Sequence, residues 1–216
     1  MGAVEGGPNV IYDGLVLYLD AANNKSYVSG STSWLDLTSN QNVGTLTNGP
    51  TFNTGSGGSI VFDGVNDYLN LGNPSTLNIL NFTVCAWAKS STFTNYQNII
   101  FKGTTTGQYG IALNSSGDWT IQPNTGFTGD ILSLNTWNFF VGTYNGTQIT
   151  AYRNGVQKQQ YSIAQSYFGS IITVGTDTVN SRYFNGNIAQ VSIYNRALSA
   201  TEILQNYNST KTRFGL

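Results

Sequence analysis

The stretch Trp137–Gln157, "WNFFVGTYNGTQITAYRNGVQ", holds two Asn-Gly pairs, Asn145-Gly146 and Asn154-Gly155, each between runs of β-branched and aromatic residues. Asn-Gly accepts the positive φ angles of a type I′ turn, whose twist matches that of the flanking strands. A three-stranded antiparallel meander is therefore predicted. Trp137, Phe139 and Val141 fall on one face of its first strand, Phe140 and Tyr144 on the other. Apolar bulk on both faces suits a central strand of a layered sandwich rather than a one-sided surface sheet.

Working outward, Leu15–Ala21, Ser59–Phe62, Phe82–Lys89, Asn98–Lys102, Tyr109–Asn114 and Ser170–Gly175 show the same enrichment and read as strands. In Phe82–Lys89, "FTVCAWAK", Phe82, Val84, Ala86 and Ala88 oppose Thr83, Cys85, Trp87 and Lys89. One segment departs from this pattern. Leu198–Tyr207, "LSATEILQNY", has Ala200, Ile203, Leu204 and Tyr207 at helical spacing. Ser199 and Glu202 form a capping box, and Leu198 with Ile203 a hydrophobic staple. The expected organisation is an N-terminal arm over 1–12, one domain over 13–210 and a C-terminal tail over 211–216.

Charged residues are 9% of the 216, against a usual quarter, so the polar surface must come from Asn, Thr, Ser, Gln and Gly. The net charge of −1 and scattered basic residues argue against nucleic acid, which demands clustered Lys and Arg. No apolar run approaches the ~20 residues of a membrane span. The start has neither a basic nor an apolar leader region, so no signal peptide is expected. The single cysteine, Cys85, excludes an internal disulfide and reads as a small buried hydrophobe. The absence of histidine removes Ser-His-Asp and Cys-His nucleophile systems and histidine-ligated zinc.

"FNGNIAQVSIYNRALSATEI" (Phe184–Ile203) resembles the closing strand and helix of laminin-G-like domains of the concanavalin A-like lectin/glucanase superfamily. Asp13–Ala21, Trp34–Phe52, Ser59–Gly72, Phe82–Lys89 and the Trp137 meander line up with it in order. The resemblance implies an all-β fold: a jelly-roll sandwich of two antiparallel sheets with one short C-terminal helix. It does not imply one activity, since such folds carry many. The Asn/Thr/Gly-rich variant is similar to versions in structural proteins of tailed bacterial viruses.

Hydrolases of this superfamily carry a Glu-rich strand motif, whereas this chain has only Glu5, in the arm, and Glu202, in the cap. Asp63 and Asp67 span a turn rather than face each other across a groove, so no catalytic residues are assigned and no enzyme is expected. Calcium is a candidate. In pentraxins, which share the jelly-roll, an Asp-Asn pair joins a later loop to bind calcium and ligand. The matching positions here are Asn66 and Asp67, with Asp177 and Asn180 in the later loop. Against it, the "IDEV"-like pattern of calcium-holding relatives reads Ile188-Ala189-Gln190-Val191, and alanine has no ligand atom. The Asp36–Asn42 loop, with Asp20, is a further candidate. The alternative is that these Asp and Asn residues bond local backbone in Asx-turns.

Sugar binding needs aromatic faces and amides. Trp34, Tyr96, Trp119, Phe127 and Tyr183 lie in or beside loops, where binding groups concentrate. The candidate ligand residues are thus Asn66, Asp67, Asp177, Asn180, Trp119 and Tyr183, the first three also as calcium ligands. The sequence supports a non-catalytic jelly-roll on a virion or other extracellular surface that adheres to glycans. The alternative is a decoration or assembly protein that contacts viral structural proteins, and through its arm further copies of itself, with no sugar ligand.

Overall fold

Alternation of side chains along each strand decides which residues meet between the sheets. The computed structural model describes residues 9–103, 108–123, 126–164, 170–177 and 181–216. Fifteen strands lie among them. They are β1 (Leu15–Asp20), β2 (Ser33–Leu35), β3 (Val43–Thr47), β4 (Thr51–Asn53), β5 (Ser59–Asp63), β6 (Tyr68–Gly72), β7 (Phe82–Ser90) and β8 (Gln97–Lys102). There follow β9 (Tyr109–Leu113), β10 (Trp119–Gln122), β11 (Asn138–Tyr144), β12 (Gln148–Arg153), β13 (Val156–Ser162), β14 (Ile172–Val174) and β15 (Asn185–Tyr194). The helix α1 (Ala200–Thr210) comes last, continued by a 3-10 turn over Lys211–Phe214.

Every pairing is antiparallel. One sheet runs β13-β12-β11-β7-β15-β5-β4, with β1 also on β15, and the other runs β10-β9-β8-β14-β6-β3-β2. The predicted two-sheet, all-β sandwich with one short C-terminal helix is the fold observed. Strand β15 pairs with β7 along one edge, while its other edge serves β5 first and then β1. The changeover falls at Ala189, where the register on β7 slips and the Ala189 carbonyl instead accepts the Ala21 N–H at 3.0 Å.

The meander forms as β11-β12-β13, but its two turns differ. Asn154 and Gly155 both take positive φ, 53° and 79°, as a type I′ turn demands. At the other turn only Gly146 does. Asn145 instead accepts from the Thr147 and Gln148 backbone N–H groups, an Asx-type turn in place of the expected I′ geometry.

The face assignments hold. Phe82, Val84, Ala86, Ala88, Phe140 and Tyr144 lie in the core between the sheets. Cys85, Trp87, Trp137, Phe139 and Val141 form a second apolar layer on the outer face of the larger sheet. Burial pushes the Cys85 thiol up to about 12, as an inert interior cysteine requires. The outer layer is roofed by α1 and by the segment after it. The capping box is present, with Ser199 accepting from the Glu202 N–H at 3.3 Å and Glu202 from the Ser199 N–H at 2.8 Å.

The described parts of both terminal segments pack on the domain. In the C-terminal tail over 211–216, Phe214 is buried and stacks on Trp87 at 4.1 Å, while Arg213 binds Asp20 at 2.7 Å. At the other end, the described part of the arm lies on α1. Asn206 Oδ1 accepts the Ile11 N–H at 2.8 Å and Gln205 donates to the Asn9 carbonyl at 2.8 Å. Residues 9–11 are thus engaged within the chain itself; residues 1–8 lie outside the described set.

Two outcomes follow. Phe214→Ala should cost about 3 kcal/mol, read as a lowered urea midpoint, because an aromatic leaves a filled layer. A shift below about 0.5 kcal/mol would make the segment an appendage. The Arg196 guanidinium, against a smaller opposing effect of burial and with help from the Ser199 donors, holds the Glu202 carboxyl at about 2 instead of 4.5. A depressed carboxyl contributes stability that is present above pH 4.5 and lost as pH falls through 2. Glu202 is 27% exposed, so solvent screening reduces the contribution to about 1 kcal/mol. Glu202→Gln should therefore flatten the acid limb of a pH–stability curve. An unchanged limb would contradict this.

Candidate functional site

Asp63 and Asp67 flank the turn from β5 to β6, and backbone donors occupy both. Asp63 Oδ1 accepts from the N–H groups of Val65 at 2.8 Å, Asn66 at 3.2 Å and Asp67 at 3.4 Å. Asp67 Oδ2 accepts from the Asp63 N–H at 3.1 Å. Burial works to raise the Asp63 carboxyl, but these backbone donors outweigh it and hold it below its ordinary value. Burial, aided by the Asp63 charge, raises that of Asp67. Asn66 is exposed, and its carbonyl accepts from Asn48 Nδ2 at 2.8 Å.

Asp177 lies elsewhere in the bonding scheme. It is fully buried, accepts from Asn98 Nδ2 at 3.2 Å and faces Arg182 at 3.4 Å. The expected Asn66–Asp67–Asp177 calcium set therefore meets separate partners: Asp67 closes its own turn and Asp177 is neutralised by Arg182. Among the described residues no three His, Cys, Asp or Glu side chains gather as a metal site. Asn180 lies outside the described residues. In the Asp36–Asn42 loop, Asp36 accepts from the Tyr18 and Thr38 N–H groups, each at 2.9 Å, and from Asn42 Nδ2 at 2.8 Å. Asp20 is taken by Arg213 and by Gln190 at 2.8 Å.

The aromatic candidates divide by strand parity. On β10, Trp119 and Ile121 point into the core while Thr120 and Gln122 point out. Trp119 is fully buried edge-on to Phe140, and its Nε1 donates to Asp130 at 3.3 Å. Trp34 is fully buried as well. Neither presents a face to a ligand, which removes Trp119 from the expected set. Tyr183 stays half-buried at the approach to β15.

Tyr96 and Phe127 remain, both half-buried, with their rings edge to face at 6.0 Å. Gln122 Nε2 donates to the Tyr96 hydroxyl at 2.9 Å, and the Arg182 guanidinium lies over the Tyr96 ring at 4.4 Å. Gly110, Ala112 and Thr120, opposite one another in register on β9 and β10, share the outward face with Gln122. All four are buried, so the accessible part of this face is the Tyr96 and Phe127 rings. Thr120 Oγ1 donates to the Gly126 carbonyl at 2.8 Å and Gln159 to that of Phe127 at 3.2 Å, fixing the loop that carries Phe127. The Asn98 N–H donates to the Arg182 carbonyl at 3.1 Å, fixing the second loop. The result is an aromatic shelf with a cationic edge on the outer face of the smaller sheet.

Sequence reasoning missed Arg182 and Gln122. Outward parity beside small residues marks Gln122, but Arg182 arrives only through a long-range backbone bond. It also missed Lys102, buried against Asn73 Oδ1, Asn78 Oδ1 and the Ser170 carbonyl at 3.2, 2.8 and 2.8 Å. Burial pulls that ammonium down to about 8. Away from the shelf, a recess of about 480 Å³ is lined by Tyr12, Leu15, Tyr18, Asn23, Thr38 and Ser39 among others. The Tyr18 hydroxyl and the Thr38 side chain there already bond Gln190 and Asp36.

No curated protein sequence matches the chain. Domain 4 of AbnA, an extracellular GH43 arabinanase of Geobacillus stearothermophilus solved with arabinotriose, is similar at 18% identity and TM-score 0.70, covering 89% of this chain and 98% of that one. The binding domain of Paraclostridial Mosquitocidal Protein 1 is similar at 18% identity and TM-score 0.70, over 91% of this chain and 52% of that one. Trypanosoma rangeli sialidase is similar at 16% identity and TM-score 0.75, over 98% of this chain and 37% of that one. The chain thus spans nearly all of the arabinanase domain, but about half and about a third of the other two. At these identities the likeness is one of fold. The laminin G profile described as the concanavalin A-like lectin/glucanases superfamily matches residues 63–204, and the chain belongs to that superfamily.

Proposed function

We propose that the chain is a non-catalytic carbohydrate-binding module whose ligand stacks on the Tyr96–Phe127 shelf. The observation that carries this is the half-buried aromatic pair with Arg182 and Gln122 at its margin. Ring faces take the CH side of a pyranose or furanose, and flanking polar groups bond its hydroxyls. The arabinanase domain solved with arabinotriose supports the reading as a relative in fold.

The absence of catalysis rests on the carboxylates. Every described Asp and Glu has a structural partner: Asp13 and Glu202 take Arg196, Asp118 takes the Gly129 N–H, and Asp130 takes Arg153 and Lys158. The others are bonded as described above. Glycoside hydrolysis asks for two carboxyls poised across a bond. The exterior setting, a virus particle foremost, rests on the resemblance of this Asn/Thr/Gly-rich variant to versions in structural proteins of tailed bacterial viruses.

Tyr96→Ala and Phe127→Ala should each weaken glycan binding by roughly tenfold, equivalent to about 1.4 kcal/mol, as measured by titration calorimetry against the best array hit. Both variants should melt within a few degrees of the parent. Binding that survives both substitutions would remove the shelf from the ligand site.

A further inference from the structure

Resting on the saccharide-binding reading, the margin of the shelf points to a narrower ligand class. The Arg182 guanidinium lies over the Tyr96 ring at 4.4 Å, a cation on an aromatic face. One nitrogen faces Asp177 at 3.4 Å, longer than a well-made charge-assisted hydrogen bond. No other side-chain bond of Arg182 is made among the described residues, and the side chain is 37% exposed. A five-donor fork is thus anchored by one long side-chain contact among the described residues, beside the Tyr96 ring. The loop bearing Phe127 adds no opposing field, since Asp130 within it is matched by both Arg153 and Lys158.

A second observation concerns Asn98, which bonds both Arg182 and Asp177. Asn98 is fully buried, and its Oδ1 accepts no hydrogen bond while its Nδ2 serves Asp177. An orphaned acceptor in an interior costs free energy until a donor reaches it. Arg182 is held beside it by the Asn98 N–H to Arg182 carbonyl bond. A saccharide hydroxyl that reached this acceptor would satisfy it.

We propose that the shelf selects saccharides bearing a carboxylate, which docks on the open edge of the Arg182 fork while the sugar ring stacks against Tyr96 and Phe127. The carboxylate accepts two parallel N–H bonds, geometry that an ammonium cannot reproduce. Asp177 acts as a tuning residue: by sharing the guanidinium it tempers the attraction for the ligand anion.

The test pairs a glycan array with calorimetry on the full chain, using tetragalacturonate and its methyl ester, which share a backbone and differ in the charge of the carboxyl groups and the added methyls, and sialyllactose against lactose. Sulfated lactose distinguishes carboxylate from any anion. The acidic members should bind at least about tenfold tighter than their neutral partners. Arg182→Gln should abolish that difference, and Arg182→Lys should retain only part of it. Asp177→Asn keeps the shape but frees the fork, so it should strengthen acidic binding several-fold, a gain that a purely structural ion pair would not give. Equal binding of acidic and neutral members, lost in Tyr96→Ala, would overturn the carboxylate preference and leave the shelf standing. Sulfated lactose matching sialyllactose would overturn carboxylate specificity, and silence across the array would overturn both readings.

Discussion

The ladder along β15 is the interaction on which the rest depends. This ten-residue strand is hydrogen-bonded on both edges, to β7 on one side and to β5 and then β1 on the other. The beginning, middle and end of the chain are thereby fastened by one set of backbone bonds. It also positions the site. The residues that lead into β15 return across β8, where the Gly175 N–H donates to Ile99 and the Phe184 N–H to Gly175, at 2.9 and 2.8 Å. That return path is why Arg182 reaches the Tyr96 ring. Gly186, at the start of the strand, tolerates no side chain, since a Cβ there would collide with the Lys89 carbonyl.

Two apolar layers follow from the ladder. One fills the space between the sheets. The other coats the outside of the larger sheet and is sealed by α1, the Phe214 turn and residues 9–11. The larger sheet is therefore covered on both faces, while the smaller sheet keeps its outer face for polar and small side chains. At the Tyr96–Phe127 shelf the outward residues Asn98, Ala112, Thr120 and Gln122 are buried, so the proposed ligand contact is made by the half-buried rings of Tyr96 and Phe127.

Much of the fold was legible because period-two alternation and turn chemistry are local. Phe82–Lys89 and Trp137–Tyr144 revealed both faces correctly, since bulk on each side of a strand leaves no ambiguity of burial. The Ser199–Glu202 box marked the start of α1 for the same reason. The site was less legible. Trp119 lies near a turn in sequence yet enters the core by parity. Asp67 and Asp177 were candidates for one ion, but nearer donors satisfied each first, Asp67 from the Asp63 backbone and Asp177 from Arg182 and Asn98. The packing of the tail was not legible because Arg213 and Phe214 find Asp20 and Trp87 through contacts that span most of the chain. No local pattern announces such a pairing.

The central claim is that saccharide is held on the outer face of the smaller sheet rather than in the recess at Tyr12 and Tyr18. Its most direct test is an amide and side-chain NMR titration of the isotope-labelled chain with a bound saccharide. The account predicts shift changes at Tyr96, Gln122, Phe127 and Arg182, with Tyr12, Tyr18 and Thr38 unmoved. Perturbations confined to the Tyr12–Tyr18 recess would contradict it.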